Sequence, residues 1–200
     1  MQRCSSDRDF SAYNAAQQAR PVRLLARRAV ELAAESTRTD GSGTAVELGC
    51  GIGVEARFLA ENGLTVHTVD ADASVERAMA ALSADLPVHH RTTDLAQLRE
   101  LPPADLILSC ATLPFVQQPA FDALWSTMRY SLLPRGVLAV DLFGDHDDWA
   151  DTDGTYLSRS ALEALFDGLE IIELTEEERD GRSFDGRKHW HTFRVIARRP

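Results

Sequence analysis

Glu47-Leu48-Gly49-Cys50-Gly51-Ile52-Gly53 stands where a short apolar run, residues 44–48, gives way to a helical pattern opening at Val54. An apolar run that stops abruptly in glycines reads as a buried parallel strand feeding a tight turn. In an open α/β sheet that turn lies at the carboxyl edge of the strands, where ligands bind at the switch in strand order. Glycine suits it because it accepts positive φ and, lacking a Cβ, lets a ligand lie on the backbone. The spacing narrows the ligand. A dinucleotide fingerprint needs glycine at position 54, where Val54 stands, and no Gly-Lys-Ser/Thr follows to make a Walker loop. Glu47, two residues before the first glycine, opposes a pyrophosphate, so the expected ligand carries a cation. Taken alone, the turn is also compatible with plain strand-to-helix packing.

Strand and helix patterns alternate outward from this turn. Residues 21–34 place Val22, Leu24, Leu25, Ala29, Leu32 and Ala33 on one helical face, with Pro21 in the first turn and a polar connector after it. Downstream come a helix at 54–62, a strand at 64–69 ending in Asp70, a helix at 73–84 and a strand at 87–90. Then follow a strand at 104–109, a helix at 119–132, a strand at 136–143 and a helix at 158–166. Parallel neighbours need crossovers of this kind, so the pattern predicts a mostly parallel, doubly wound α/β sheet with helices on both faces. The end breaks the rhythm. Strands at 169–174 and 191–197 lack an intervening helix and should pair antiparallel, leaving 175–188, charged and glycine-containing, as a long exposed loop.

The totals agree with a single domain over 1–200, in which residues 1–20 form an N-terminal lid or flexible segment. Hydrophobic residues make up 44% and charged residues 26%, which excludes a disordered or collagen-like chain. No apolar run approaches the ~20 residues that cross a bilayer, and residues 1–9 are charged where a signal peptide would be apolar, so a cytoplasmic protein without a membrane role is expected. The net charge of −10 repels phosphate backbones, and the one basic cluster, Arg20, Arg23, Arg27 and Arg28, reads as the wet face of a helix. Nucleic acid is therefore not an expected partner. Cys4, Cys50 and Cys110 lack CxxC spacing and read as reduced thiols.

Two acids extend the glycine turn into a candidate nucleoside site. Asp70 ends the second strand, where a carboxylate accepts from both ribose hydroxyls, although an exposed acid at a strand end would look the same. Asp94-Leu95 follows the third strand at the same edge, suited to an adenine amino group and ring face, or equally to a helix cap. With these in order, Val46 to Gly53 resembles the first motif of class I S-adenosylmethionine-dependent methyltransferases. Asp70 resembles their second motif, Thr93-Asp94-Leu95 their adenine-contacting segment, and Leu132 to Leu138 their turn into strand five. The compact size is similar to small bacterial enzymes of the tellurite-resistance and thiopurine type.

The resemblance implies a Rossmann-like, seven-stranded, three-layer αβα fold whose C-terminal strand is antiparallel. It implies S-adenosylmethionine as cofactor, leaving as S-adenosylhomocysteine. Glu47, Gly49, Cys50, Gly51, Gly53, Asp70, Ala71, Asp94, Leu95, Cys110 and Phe115 would bind it, with Tyr13 and Arg20 closing over its methionine end. Because the sulfonium is already electrophilic, alignment and water exclusion matter more than a base.

The acceptor pocket should be lined by Cys110, Ala111, Thr112, Leu113 and Phe115 after the fourth strand, and by Asp141, Phe143, His146 and Trp149 after the fifth. The absence of an Asn/Asp-Pro-Pro-Tyr pattern favours a small molecule over nucleic-acid bases. His146 is the candidate base, its ordinary pKa allowing both forms near neutrality, or else a surface histidine. His189 and His191, two apart in a strand, share a face opposite Trp190. No third ligand is evident, so no metal is expected. The alternatives to an enzyme of this kind are a non-catalytic cofactor-binding regulator and a nicotinamide-dependent oxidoreductase, the latter weakened by Val54 and Glu47.

Overall fold

Alternate residues along the central strands serve two different cores. Ala45, Leu106, Leu108, Val137 and Ala139 pack on one face, while Val46, Ile107, Leu138 and Val140 pack on the other. That period-two division is what buried parallel strands covered on both sides require. A computed structural model of the chain describes residues 10–17, 20–35, 43–184 and 186–200. Cys4, the charged segment 1–9 and most of the polar connector, 36–42, lie outside them.

The strands are β1 (Gly43–Leu48), β2 (Leu64–Asp70), β3 (Val88–Thr92), β4 (Ala104–Ser109), β5 (Leu132–Gly144), β6 (Tyr156–Leu157), β7 (Glu170–Ser183) and β8 (Gly186–Arg198). They form one sheet in the order β3-β2-β1-β4-β5-β8-β7, with the two-residue β6 beside the end of β5. β1 to β5 are parallel; β8 is antiparallel to β5 and to β7. The helices are α1 (Phe10–Ala16), α2 (Leu24–Ala34), α3 (Val54–Glu61), α4 (Glu76–Asp85), α5 (Ala120–Ser131) and α6 (Arg159–Leu165). Residues of α2, α3 and α4 join the first core, and those of α5 and α6 the second. This is the three-layer, doubly wound arrangement with an antiparallel end that the sequence predicts. No described helix is long and apolar enough to cross a membrane.

Two local expectations need correction. The segment 175–188 is not a loop: β7 and β8 continue pairing without a break to Ser183 and Gly186. The ladder carries residues without apolar alternation, and cross-strand charge pairs such as His189–Asp180 at 2.9 Å hold the faces. In addition, α2 begins at Leu24 rather than at Pro21. The Arg23 N–H donates to Glu55 at 3.1 Å, and Arg23 is left extended. A side-chain acceptor thus captures backbone that helix propensity would have wound.

Candidate functional site

The crevice of a doubly wound sheet opens where crossovers leave in opposite directions, here between β1 and its neighbour β4. The glycine turn lies there. Gly49, Gly51 and Gly53 all have positive φ, at 76°, 51° and 81°. The Gly49 N–H donates to the Val69 carbonyl and the Gly51 N–H to Asp70 Oδ2, both at 2.8 Å, so β2 holds the turn. The protein's own atoms also press on it. A Cβ at Gly49 would lie 2.0 Å from Thr112 Oγ1, and one at Gly51 would lie 2.8 Å from Asn14 Oδ1.

The three acids occupy different environments. Glu47 is buried at the end of β1, and its Oε2 has no hydrogen-bond partner among the described residues. Burial pushes its carboxyl pKa well above the usual range, and Glu55 pushes the same way, while Arg23 and Arg20 oppose the shift. Asp70 is half-buried and accepts the Gly51 and Asp72 N–H groups, the second at 2.9 Å. Ala71 is exposed beside it. Asp94 is exposed and caps a short turn, accepting the Ala96 N–H at 2.9 Å, and Leu95 is drawn into the second core. The cap noted as an alternative for Asp94 is therefore present, at the edge where the adenine contact was expected.

The N-terminal residues are held by partners that spacing did not suggest. Glu55, in the first turn of α3 and 1% exposed, takes the guanidinium of Arg20 in a two-pronged pair and that of Arg23 at 3.3 Å. Arg20 Nε is buried and has no hydrogen-bond partner among the described residues. Tyr13 accepts from Arg23 at 3.2 Å and meets Phe184, beside the tip of the β7–β8 hairpin, edge to face at 5.8 Å. Asn14 is buried and donates to Asp72 at 2.8 Å. α1 and the hairpin therefore form a roof over the turn. A separate cleft of about 420 Å³ opens beside Gly53, lined by Arg20, Val22, Ile52 and Arg57, but none of the three acids reaches it.

Past β4 and β5 the walls are aromatic. Phe115, half-buried, packs against Phe10 at 5.3 Å, Phe143 at 6.0 Å and Trp149 at 6.0 Å. Lys188 is buried on the same face of β8 as Trp190, its ammonium 3.5 Å from the Trp149 ring centre and 4.0 Å from that of Trp190. It pairs with buried Asp147. Spacing gave no hint of this pairing, since Lys188 sat in the presumed loop. Burial raises the pKa of both Cys50 and Cys110 well above the usual thiol value, so both are protonated near neutrality and neither is a nucleophile.

His146 is exposed and hydrogen-bonded to Glu178 at 3.2 Å, which raises its pKa. A raised pKa favours the imidazolium, the form that cannot accept a proton. Asp141 is spent on Arg194 at 3.1 Å across β5 and β8.

The strand order, the antiparallel end and the glycine turn at the carboxyl edge define a Rossmann-like, three-layer αβα fold. Residues 46–138 match the family described as methyltransferase domain. In fold and in the motifs of that edge, the chain is similar to class I methyltransferases, whose cofactor is S-adenosylmethionine. Trans-aconitate 2-methyltransferase of Azoarcus sp. (strain BH72) is 29% identical over 127 residues, 61% of this chain and 49% of that protein. The chain thus spans about half the length of this curated relative. TehB from Haemophilus influenzae shares the fold at a TM-score of 0.68 and 16% identity, over 84% of this chain and 61% of that one. The N-methyltransferase NodS from Bradyrhizobium japonicum, solved with S-adenosylhomocysteine, matches at a TM-score of 0.64 and 17% identity, over 96% of this chain and 100% of that one.

Proposed function

We propose that the protein transfers the methyl group of S-adenosylmethionine to a small-molecule acceptor. One observation carries this reading: Glu47 Oε2 and Arg20 Nε, a buried acceptor and a buried donor, both lack partners among the described residues and lie within electrostatic reach beside the turn. An unsatisfied buried polar group costs about 1–3 kcal/mol. An amino-acid zwitterion relieves both, its ammonium on Glu47 and its carboxylate on Arg20, so the residues present fit the methionine end of the cofactor. Asp70 retains lone pairs for ribose hydroxyls, and the edge at Asp94 and Leu95 suits an adenine.

When bound, the cofactor supplies an electrophilic methyl group that needs little further activation. The chain's own task is alignment and exclusion of water. α1 and Phe184 form the roof, and Phe115, Phe143, Trp149 and Trp190 make an apolar wall with the single ammonium of Lys188. The protein is acidic overall, and the curated relative is named for trans-aconitate, which supports a small acceptor over nucleic acid. Titration calorimetry with S-adenosylmethionine and S-adenosylhomocysteine tests the cofactor, and transfer of labelled methyl across a panel of O, N, S and chalcogen acceptors tests the activity. No heat at millimolar ligand sinks the first. Binding with no transfer to any acceptor favours a regulatory binder.

The roof makes its own prediction. Asn14→Ala removes the bond to Asp72 and the contact over Gly51. It is expected to cost about 1 kcal/mol, or roughly 2–4 °C in Tm, and to speed both association and release of S-adenosylhomocysteine. Stopped-flow fluorescence measures the rates; unchanged rates would show that α1 does not gate the turn.

A further inference from the structure

Away from the glycine turn, the face of β8 opposite Lys188 and Trp190 gathers nitrogen and oxygen ligands from three segments. Asp145 and His146 follow β5, Glu176 and Glu178 stand two apart on β7, and His191, 2% exposed, comes from β8. The His191 ring lies so close over Gly144 that a Cβ there would sit 2.0 Å from Nδ1. It stacks on His146 with centroids 4.9 Å apart.

The hydrogen bonds decide which nitrogens carry protons. The His146 backbone N–H donates to His191 Nδ1 at 3.1 Å, making Nδ1 the acceptor and Nε2–H the donor to Glu176 Oε1, also at 3.1 Å. His146 Nδ1–H donates to Glu178 at 3.2 Å, so in the neutral ring, the form that binds a metal, the lone pair lies on Nε2. Both lone-pair nitrogens then face one oxygen: His191 Nδ1 is 3.8 Å and His146 Nε2 3.9 Å from Asp145 Oδ1. Imidazoles whose far nitrogen is bound to a carboxylate are the usual arrangement of metal-ligating histidines.

We propose that Asp145, His146 and His191 bind a first-row divalent transition metal, with Glu176 and Glu178 as outer carboxylates orienting the two rings. Their ligand atoms all lie within 4.8 Å of one another. Two imidazoles and a carboxylate suit Zn²⁺ or its neighbours, whereas Mg²⁺ and Ca²⁺ prefer all-oxygen shells. The competing set of Glu176, Glu178 and His191 needs a lone pair on His191 Nε2, which the His146 N–H contact opposes. Metal entry exchanges that contact for the cation and ties the segment after β5 to the hairpin. Sequence spacing paired His191 with His189, but His189 turns to Asp180 and Glu178, and the other two ligands come from the segment after β5. The proposal does not depend on methyl transfer.

The test uses the untagged, metal-free full chain titrated with Zn²⁺ in competition with a chromophoric chelator, alongside Tm with and without Zn²⁺. One Zn²⁺ per chain is expected, with a rise in Tm that millimolar Mg²⁺ does not reproduce. Asp145 and His146 are exposed, so Asp145→Asn and His146→Ala should fold as the parent does in chelator. Each is expected to weaken Zn²⁺ by at least about tenfold, and Glu178→Gln by about tenfold. His67→Ala, on β2, should change nothing. Wild-type Zn²⁺ affinity in the Asp145 and His146 variants, or displacement of Zn²⁺ by millimolar Mg²⁺, overturns the proposal.

Discussion

Glu47→Gln is expected to weaken binding of S-adenosylmethionine by about 10- to 150-fold while making the ligand-free protein more stable. The first effect follows from loss of one charge-assisted hydrogen bond to the cofactor's ammonium, worth about 1.5–3 kcal/mol. The second follows from burial, which holds the Glu47 carboxyl well above its ordinary 4.5. The unfolded chain releases that proton near the ordinary value and the folded chain only later. Between the two the folded state binds more protons, so stability is full below the unfolded value and falls as pH rises through the window. Glutamine removes that slope. Cofactor binding works the other way, because an incoming cation favours the carboxylate, and wild-type affinity should rise with pH over the same window with release of a proton. Calorimetry in buffers of differing ionisation enthalpy counts that proton: release in the wild type and none in Glu47→Gln is the expected result. Equal affinity of the two proteins would mean that Glu47 does not meet the ammonium.

The parts of the molecule legible in the sequence are those where local chemistry and tertiary position coincide. Gly49, Gly51 and Gly53 take positive φ at a strand-to-helix turn, which neighbouring residues alone can signal. Asp70 ends a β-branched run, so its place at the sheet edge follows from the strand itself. The roof was different. Asn14 and Glu55 act through partners 58 and 32 to 35 residues away, and nothing in their local pattern announces those contacts.

The hairpin was hidden for a second reason. Glu176, Glu178 and Asp180 share one face of β7 and alternate with Glu177, Arg179 and Gly181, so the period of two is present but pairs polar with polar. Hydrophobic periodicity cannot register such a strand. Ladder bonds to β8 and acid–histidine contacts supply what apolar burial does elsewhere. The single sign that survives in sequence is Gly144, whose missing side chain is the space that the His191 ring fills.

Gly49→Ala should be the most destabilising change at the carboxyl edge of the sheet, lowering Tm by roughly 4–20 °C and abolishing detectable cofactor binding. Two independent costs combine. At a φ of 76° alanine is strained, by about 1–2 kcal/mol. Its Cβ would also fall 2.0, 2.3 and 2.5 Å from Oγ1, Cγ2 and Cβ of Thr112. Those atoms cannot swing aside freely, because Cβ is fixed to the backbone of a segment whose preceding residue, Ala111, already has a φ of 54°. Overpacking of this kind costs about 1–3 kcal/mol, for a total of roughly 2–5 at 2–4 °C each. The turn is thus a point of contact between the end of β1 and the chain after β4, and the glycine serves the fold there. A double variant separates the two costs. Thr112→Gly removes the clash and leaves the strain, so Gly49→Ala with Thr112→Gly should lose only about 1–2 kcal/mol relative to Thr112→Gly alone. If the full penalty of Gly49→Ala persisted in the Thr112→Gly background, Thr112 would not be the obstacle, and the close approach of the chain after β4 to the turn would have to be abandoned as its cause.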